Sequence, residues 1–213
     1  MDPHANPLLV YDGAPIDDAD AVLIMVHGRN AAPKNILEII PRFDRTRCAC
    51  VAPAAADGSW YPFSFMQPTE KNQPGLSSAM RMLDALVETL IARGTPSNKI
   101  VLLGFSQGAC LTAEFAIRHP RRYGGLVLFS GGLQGPDGTT WDDVAVDFVE
   151  MPVFLGCSDT DSHIPKERVM ETSRVFIRCG AEVTQRLYPG MGHLVNDDEI
   201  AHLQDILDAV MAS

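Results

Sequence analysis

The sequence contains no apolar run near the roughly 18 residues that a membrane-crossing helix needs, so no spanning segment is expected. Met1-Asp2-Pro3-His4-Ala5-Asn6 lacks a basic stretch leading into an apolar one, and no signal peptide is apparent. Basic residues are in the minority, 17 Lys and Arg against 27 Asp and Glu, and a net charge of −10 argues against nucleic-acid binding. The one small basic cluster, Arg118 with Arg121 and Arg122, fits a helix C-terminus. Five cysteines at 48, 50, 110, 157 and 179 are odd in number and include no C-x-x-C. Reduced thiols in a cytoplasmic protein are therefore expected rather than a disulfide framework. Repeats, low-complexity tracts and linkers are also missing, so residues 1–213 are expected to form one domain.

What is present is an alternation of strand-like and helix-like stretches. Leu8 to Tyr11 reads as a short edge strand closed by Asp12-Gly13. Ala21 to Val26 is continuously apolar, the pattern of a strand buried on both faces. Pro33 suits the first turn of a helix carrying Ile36, Leu37, Ile39 and Ile40, which Pro41 ends. Further strands are expected at 48–52, 100–103, 125–129, 152–156 and 182–188. Helices are expected after Gly75, after Ser106, from Pro165 to about Cys179, and after Asn196, a capping residue. Residues 131–150 read as a surface connection. Such alternation predicts an α/β fold: a mostly parallel sheet with helices on both faces.

Residues 54–74 show no periodicity but hold Trp60, Tyr61, Pro62, Phe63, Phe65 and Met66. A long irregular segment this aromatic predicts a pocket wall or lid, against the plainer reading of a loop packed over core. An exposed apolar face on it would equally suit a contact with a second copy in a homodimer.

The chemistry concentrates at Gly104-Phe105-Ser106-Gln107-Gly108, set between a strand-like and a helix-like run. A Ser at such a corner is a nucleophile elbow, with glycines where strand and helix pass too close for a Cβ. The competing reading is a tight turn whose Ser only caps the helix. A Ser nucleophile needs a His to take its proton, and the His needs a carboxylate to fix its tautomer. In an elbow fold these follow in the order Ser, acid, His, each after a later strand. Of six histidines, His193, in the Gly-rich loop Pro189-Gly190-Met191-Gly192-His193, is the best placed base. His4 lies in an irregular N-terminus, and His119 and His202 lie on or at the ends of helices. His163 follows the candidate acids too closely, and His27 suits a turn-shaping role. Spacing leaves Asp159 and Asp161 both open as the acid. The oxyanion site needs two backbone N–H groups, expected from Gln107 and from Arg29 in the loop after the first central strand.

With these motifs in order, the chain resembles the carboxylesterase/phospholipase family of α/β-hydrolases, which includes the acyl-protein thioesterases. The resemblance runs from about Val22 to the C-terminus. It rests on Val26-His27-Gly28-Arg29, Gly104-Phe105-Ser106-Gln107-Gly108, Asp161-Ser162-His163-Ile164-Pro165 and Gly192-His193. It implies the α/β-hydrolase fold. It also selects Asp161, four residues before a Pro, as the acid, and leaves Asp159 to shape the loop. Trp60-Tyr61-Pro62 and the aromatics after it look more like bacterial members acting on small aryl or alkyl esters than like acyl-protein thioesterases.

The expected reaction is hydrolysis of a small-molecule ester through an acyl-enzyme on Ser106, with His193 and Asp161 completing the triad. Arg29 and Gln107 would hold the oxyanion, and Trp60, Tyr61, Phe63, Phe65 and Met66 would line the pocket. Neither a cofactor nor a metal is required. The alternatives are an acyl-protein or lysophospholipid-type thioesterase, a non-catalytic binding protein on the same fold, and acyl transfer to hydrogen peroxide. A metal site at His27, Asp159, Asp161 and His163 would lack any familiar ligand spacing.

Overall fold

The computed structural model describes residues 2–213. Strands β1 (Leu9–Gly13), β2 (Ala21–Val26), β3 (Cys48–Pro53), β4 (Ile100–Phe105), β5 (Gly125–Phe129), β6 (Pro152–Ser158) and β7 (Glu182–Tyr188) form one sheet. Their order is β1-β3-β2-β4-β5-β6-β7. The β1–β3 pair is antiparallel, and the other five pairs are parallel. Helices α2 (Gly75–Ala92), α3 (Gln107–Arg118) and α4 (Lys166–Arg178) cover one face, and α1 (Pro33–Leu37) and α5 (Asp197–Ala212) the other. This is the mostly parallel sheet with helices on both faces expected from the alternation of strands and helices.

Two-sided cover explains the unbroken apolar run in β2. Val22, Ile24 and Val26 enter the core under α2, α3 and α4, while Ala21, Leu23 and Met25 enter the core under α1 and α5. Successive side chains of a strand point to opposite faces, so both sets must be apolar. The chain leaves β2 toward β3 on one side, while β4 lies on the other. The carboxyl ends of β2 and β4 therefore flank a crevice at the point where strand order reverses. Val26 pairs with Gly104 there, which brings the His27-Gly28-Arg29-Asn30 loop beside Ser106.

Three expectations need correction. The helix expected through Ile40 stops at Leu37 and continues as a separate 3₁₀ turn over Ile40–Arg42, because Pro41 offers no N–H to extend α-helical bonding. Residues 131–150 are not only a surface connection, since Leu133, Gln134, Trp141 and Phe148 are buried. Arg168 on α4 is itself 2% exposed and donates Nη1–H to Leu133 O (2.9 Å) and Gly135 O (2.8 Å). His4 is also buried, with its Nδ1 accepting the Ala56 N–H at 3.1 Å and its Nε2–H reaching Trp60 O at 3.1 Å.

The start of α5 carries a buried acid. Asn196 and Glu199 cap reciprocally: Asn196 Oδ1 accepts the Glu199 N–H, and Glu199 Oε2 accepts the Asn196 N–H, each at 2.9 Å. Glu199 is fully buried, and its Oε1 has no partner among the described residues. That oxygen packs against β6 so closely that a Cβ on Gly156 would fall 2.2 Å from it. Burial pushes the Glu199 carboxyl from 4.5 up to about 7, against the Asn196 hydrogen bond and Arg42, which pull it down. Its contribution to stability is full below about pH 4.5 and is lost as pH rises through about 7. Glu199→Gln keeps an acceptor for Asn196 N–H and removes the charge. At pH 8 the variant should exceed wild type by on the order of 2 kcal/mol, and by far less at pH 5, in urea unfolding. An equal loss at both pH values would contradict this.

Candidate active site

Ser106 sits between β4 and α3 with φ 55° and ψ −120°, a conformation rarely adopted by a residue with a side chain. Its N–H donates to Phe129 O (2.9 Å) and its carbonyl accepts the Cys110 N–H (3.0 Å), so neighbouring structure holds the strain. The flanking glycines are required for distinct reasons. A Cβ on Gly104 would fall 2.5 Å from the Gly108–Ala109 backbone, and one on Gly108 would fall 2.1 Å from Val26 O on β2. The elbow is thus wedged between two strands, not only against its own.

His193 Nε2 lies 2.9 Å from Ser106 Oγ, and His193 Nδ1 lies 2.7 Å from Asp161 Oδ2. With Nδ1–H donating to the carboxylate, Nε2 is free to accept the Ser106 hydroxyl proton. The Asp161 side chain is wholly buried, while His193 keeps 20% of its side chain exposed. Asp161 Oδ1 accepts the His163 N–H (2.8 Å) and the Ile164 N–H (3.1 Å). Burial alone would raise this carboxyl, but the bonds from His193, His163 and Ile164 outweigh it and hold it below the ordinary Asp value. The neighbouring acid goes elsewhere. Asp159 Oδ1 accepts the Gly190 N–H (2.8 Å) and Ser158 Oγ accepts the Gly192 N–H (3.0 Å). Together these tie the β6 loop to the His193 loop.

Arg29 and Gln107 flank the same crevice. Their backbone N–H groups have no hydrogen-bond partner among the described residues, Gln107 being the first residue of α3. A cavity of about 590 Å³ opens above Ser106, lined by Tyr61, Phe63, Phe65, Phe105, Cys110 and Ile164, with Arg29, Gln107, His163 and His193 among its polar members. Its volume lies in the range of small-molecule sites. A second cavity of about 580 Å³, by Trp141 and Glu114, is lined by no Ser, Cys or His.

Not every expected pocket residue reaches this cavity. Tyr61, Phe63 and Phe65 do, but Trp60 and Met66 are absent from the lining. Trp60 is fully buried, its indole N–H donating to His27 O (2.8 Å) and its ring lying beside His4 and His27. An indole with a buried acceptor is satisfied in the core and has no reason to face a pocket. Met66 packs against the main core instead. Conversely, Phe105, Cys110, Ile36 and Ile164 line the cavity and were not singled out from sequence. Phe105 and Cys110 had a usable signal, being one residue before and four after Ser106. Ile164 had one too, standing three residues after Asp161 in the Asp161–Pro165 motif, whereas Ile36 had none.

The residues weighed as metal ligands are dispersed in role. Both ring nitrogens of His27 are taken by backbone: Nδ1–H donates to Gly28 O (2.8 Å), and Nε2 accepts the Ala55 N–H (3.1 Å). Burial lowers the tendency of His27 to protonate, and the same holds for His4. Adjacent N–H groups of the aromatic loop, on Ala55 and Ala56, are thus each accepted by a neutral imidazole.

A family model described as phospholipase/carboxylesterase matches residues 13–211. A solved phospholipase/carboxylesterase from Dyadobacter fermentans is 36% identical, with a TM-score of 0.90 over 95% of this chain and 97% of that one. Acyl-protein thioesterase 1 of Eremothecium gossypii is 32% identical over 63% of this chain and 59% of the relative. A probable carboxylesterase, SOBER1-like, of Arabidopsis thaliana is 25% identical over 73% of this chain and 60% of the relative. The matched stretch thus spans about three-fifths of the length of these two curated relatives.

Proposed function

The chain belongs to the phospholipase/carboxylesterase family of α/β-hydrolases, and we propose that it hydrolyses small to medium alkyl or aryl esters through a Ser106–His193–Asp161 triad. The observation that carries this reading is the hydrogen-bonded series from Ser106 Oγ through His193 to Asp161 at the floor of an aromatic-lined cavity. Ser106 Oγ attacks the ester carbonyl as His193 Nε2 takes its proton, and Asp161 stabilises the resulting imidazolium. The carbonyl oxygen gains negative charge between the N–H groups of Arg29 and Gln107. His193 returns the proton to the leaving alkoxide, leaving an acyl-enzyme on Ser106. Water, deprotonated by His193, then releases the acid and restores the hydroxyl. No cofactor or metal takes part in this scheme. Five free thiols, all buried, fit a reducing cytoplasm. No described helix is long and apolar enough to cross a membrane.

A p-nitrophenyl ester series from acetate to palmitate tests the substrate class. The reading expects kcat/KM to peak at short or medium acyl chains, because Tyr61, Phe63 and Phe65 line a cavity of about 590 Å³, the size of a small-molecule site. An optimum at palmitate would favour the thioesterase reading, which the likeness to an acyl-protein thioesterase keeps in view. Failure to hydrolyse any member would overturn the esterase reading.

A further inference from the structure

Arg29 and Gln107 enter the proposed mechanism only through their backbones, yet their side chains converge on a single segment. Arg29 Nη1–H donates to Pro62 O (2.8 Å) and Ser59 Oγ (3.2 Å), and its Nη2–H donates to Phe63 O. Gln107 Nε2–H donates to Tyr61 O (2.8 Å), and its Oε1 accepts the Trp60 N–H (3.0 Å). The Ser59 hydroxyl lies between the two side chains, 3.3 Å from Gln107 Nε2, and itself donates to Tyr61 O (2.9 Å). Four consecutive residues, Trp60 to Phe63, of which the last three line the cavity, are therefore held by the two residues whose backbone N–H groups flank the crevice.

We propose that Arg29 and Gln107 are positioning residues that couple the acyl-pocket wall to the oxyanion site, so that an acyl group filling the pocket sets the alignment of both N–H donors. This rests on the ester-hydrolase reading above. A guanidinium suits the task because its planar fork can hold two carbonyls at once, which an ammonium on a flexible stem cannot do in fixed geometry. Movement of the wall against Tyr61, Phe63 or Phe65 would pass through these side chains to backbone only one residue from Ser106 on one side and to the β2 loop on the other. Oxyanion stabilisation depends steeply on donor placement, so the coupling would appear as acyl selectivity in kcat rather than in KM. An octanoyl group offers the wall far more apolar contact than an acetyl group does.

The test compares wild type, Arg29→Met and Arg29→Lys on p-nitrophenyl acetate and octanoate, with hydrogen exchange followed over residues 59–66. Arg29→Met keeps the backbone N–H and much of the stem but removes every side-chain donor. The expected result is a fall of about tenfold in the octanoate-to-acetate ratio of kcat, with KM changing far less. Exchange over 59–66 should quicken about tenfold while that of α3 holds. Arg29→Lys, able to serve one carbonyl but not both, should restore part of the ratio. An unchanged ratio would overturn the proposal, whether or not exchange quickens, and so would an equal loss on both esters. The exchange measurement needs no turnover. If wild type shows no hydrolysis that depends on Ser106, the ester-hydrolase reading fails, and quickened exchange would still report the anchoring separately.

Discussion

Ser106→Ala should lower kcat on p-nitrophenyl acetate by about 10⁶. The size follows from what the hydroxyl does and what remains without it. Among the described residues, Ser106 Oγ is the only nucleophile within hydrogen-bond reach of His193 Nε2, at 2.9 Å, and the acyl-enzyme route ends when it is removed. The unpaired N–H groups of Arg29 and Gln107 and the cavity survive, so a residual rate of about 10³–10⁴ over the uncatalysed reaction is expected from binding and oxyanion stabilisation. The variant should fold normally. Its φ of 55° is no harder for Ala than for Ser, and the Ser106 N–H and C=O bonds are backbone groups that the substitution leaves alone. An unchanged urea midpoint would confirm that only the chemistry has been removed. A loss below about tenfold, with folding intact, would mean that another residue acts as nucleophile.

Asp161→Asn should cost about 10⁴ in kcat, and Asp159→Asn under about tenfold. The two carboxylates stand two residues apart on one loop but serve different partners. In Asp161→Asn the amide oxygen could still accept from the His163 and Ile164 N–H groups, so the loop keeps its shape. The amide nitrogen would then face His193 Nδ1, 2.7 Å from the position of Oδ2, and a donor there cannot accept a proton from the ring. The imidazole would switch to the tautomer with its hydrogen on Nε2 and could no longer take the proton of Ser106. At Asp159 the carboxylate's one hydrogen bond among the described residues is acceptance from Gly190 N–H, which an amide oxygen also provides. Equal losses in the two variants would contradict the assignment of Asp161. The comparison is informative because both substitutions remove one negative charge from the same loop.

Why the sequence carried some of this and not the rest is a matter of range. Local patterns were enough for β2, where six apolar residues between polar ones can only be a strand covered twice, and for α5, where Asn196 and Glu199 form a capping box three residues apart. The elbow was legible because its requirements are local too: a strand, a strained Ser and two glycines within five residues. The choice between Asp159 and Asp161 was not, since both lie on an irregular turn where no periodicity says which way a carboxylate points. A resemblance to a family separated them before any geometry did. Trp60 and Tyr61 illustrate the same limit. They are adjacent and equally aromatic, yet one packs under His27 and the other lines the cavity. Arg168 was unreadable for a related reason: a charged residue one turn into α4 is ordinarily solvent-facing, and its burial depends on carbonyls more than thirty residues away.

The most direct test of the central claim is intact-protein and peptide mass spectrometry after reaction with a fluorophosphonate. The expected result is a single phosphonyl adduct on the peptide containing Ser106, absent from Ser106→Ala and formed far more slowly in Asp161→Asn. A stoichiometric adduct on another residue, or labelling that persists in Ser106→Ala, would contradict the assignment of Ser106 as the nucleophile.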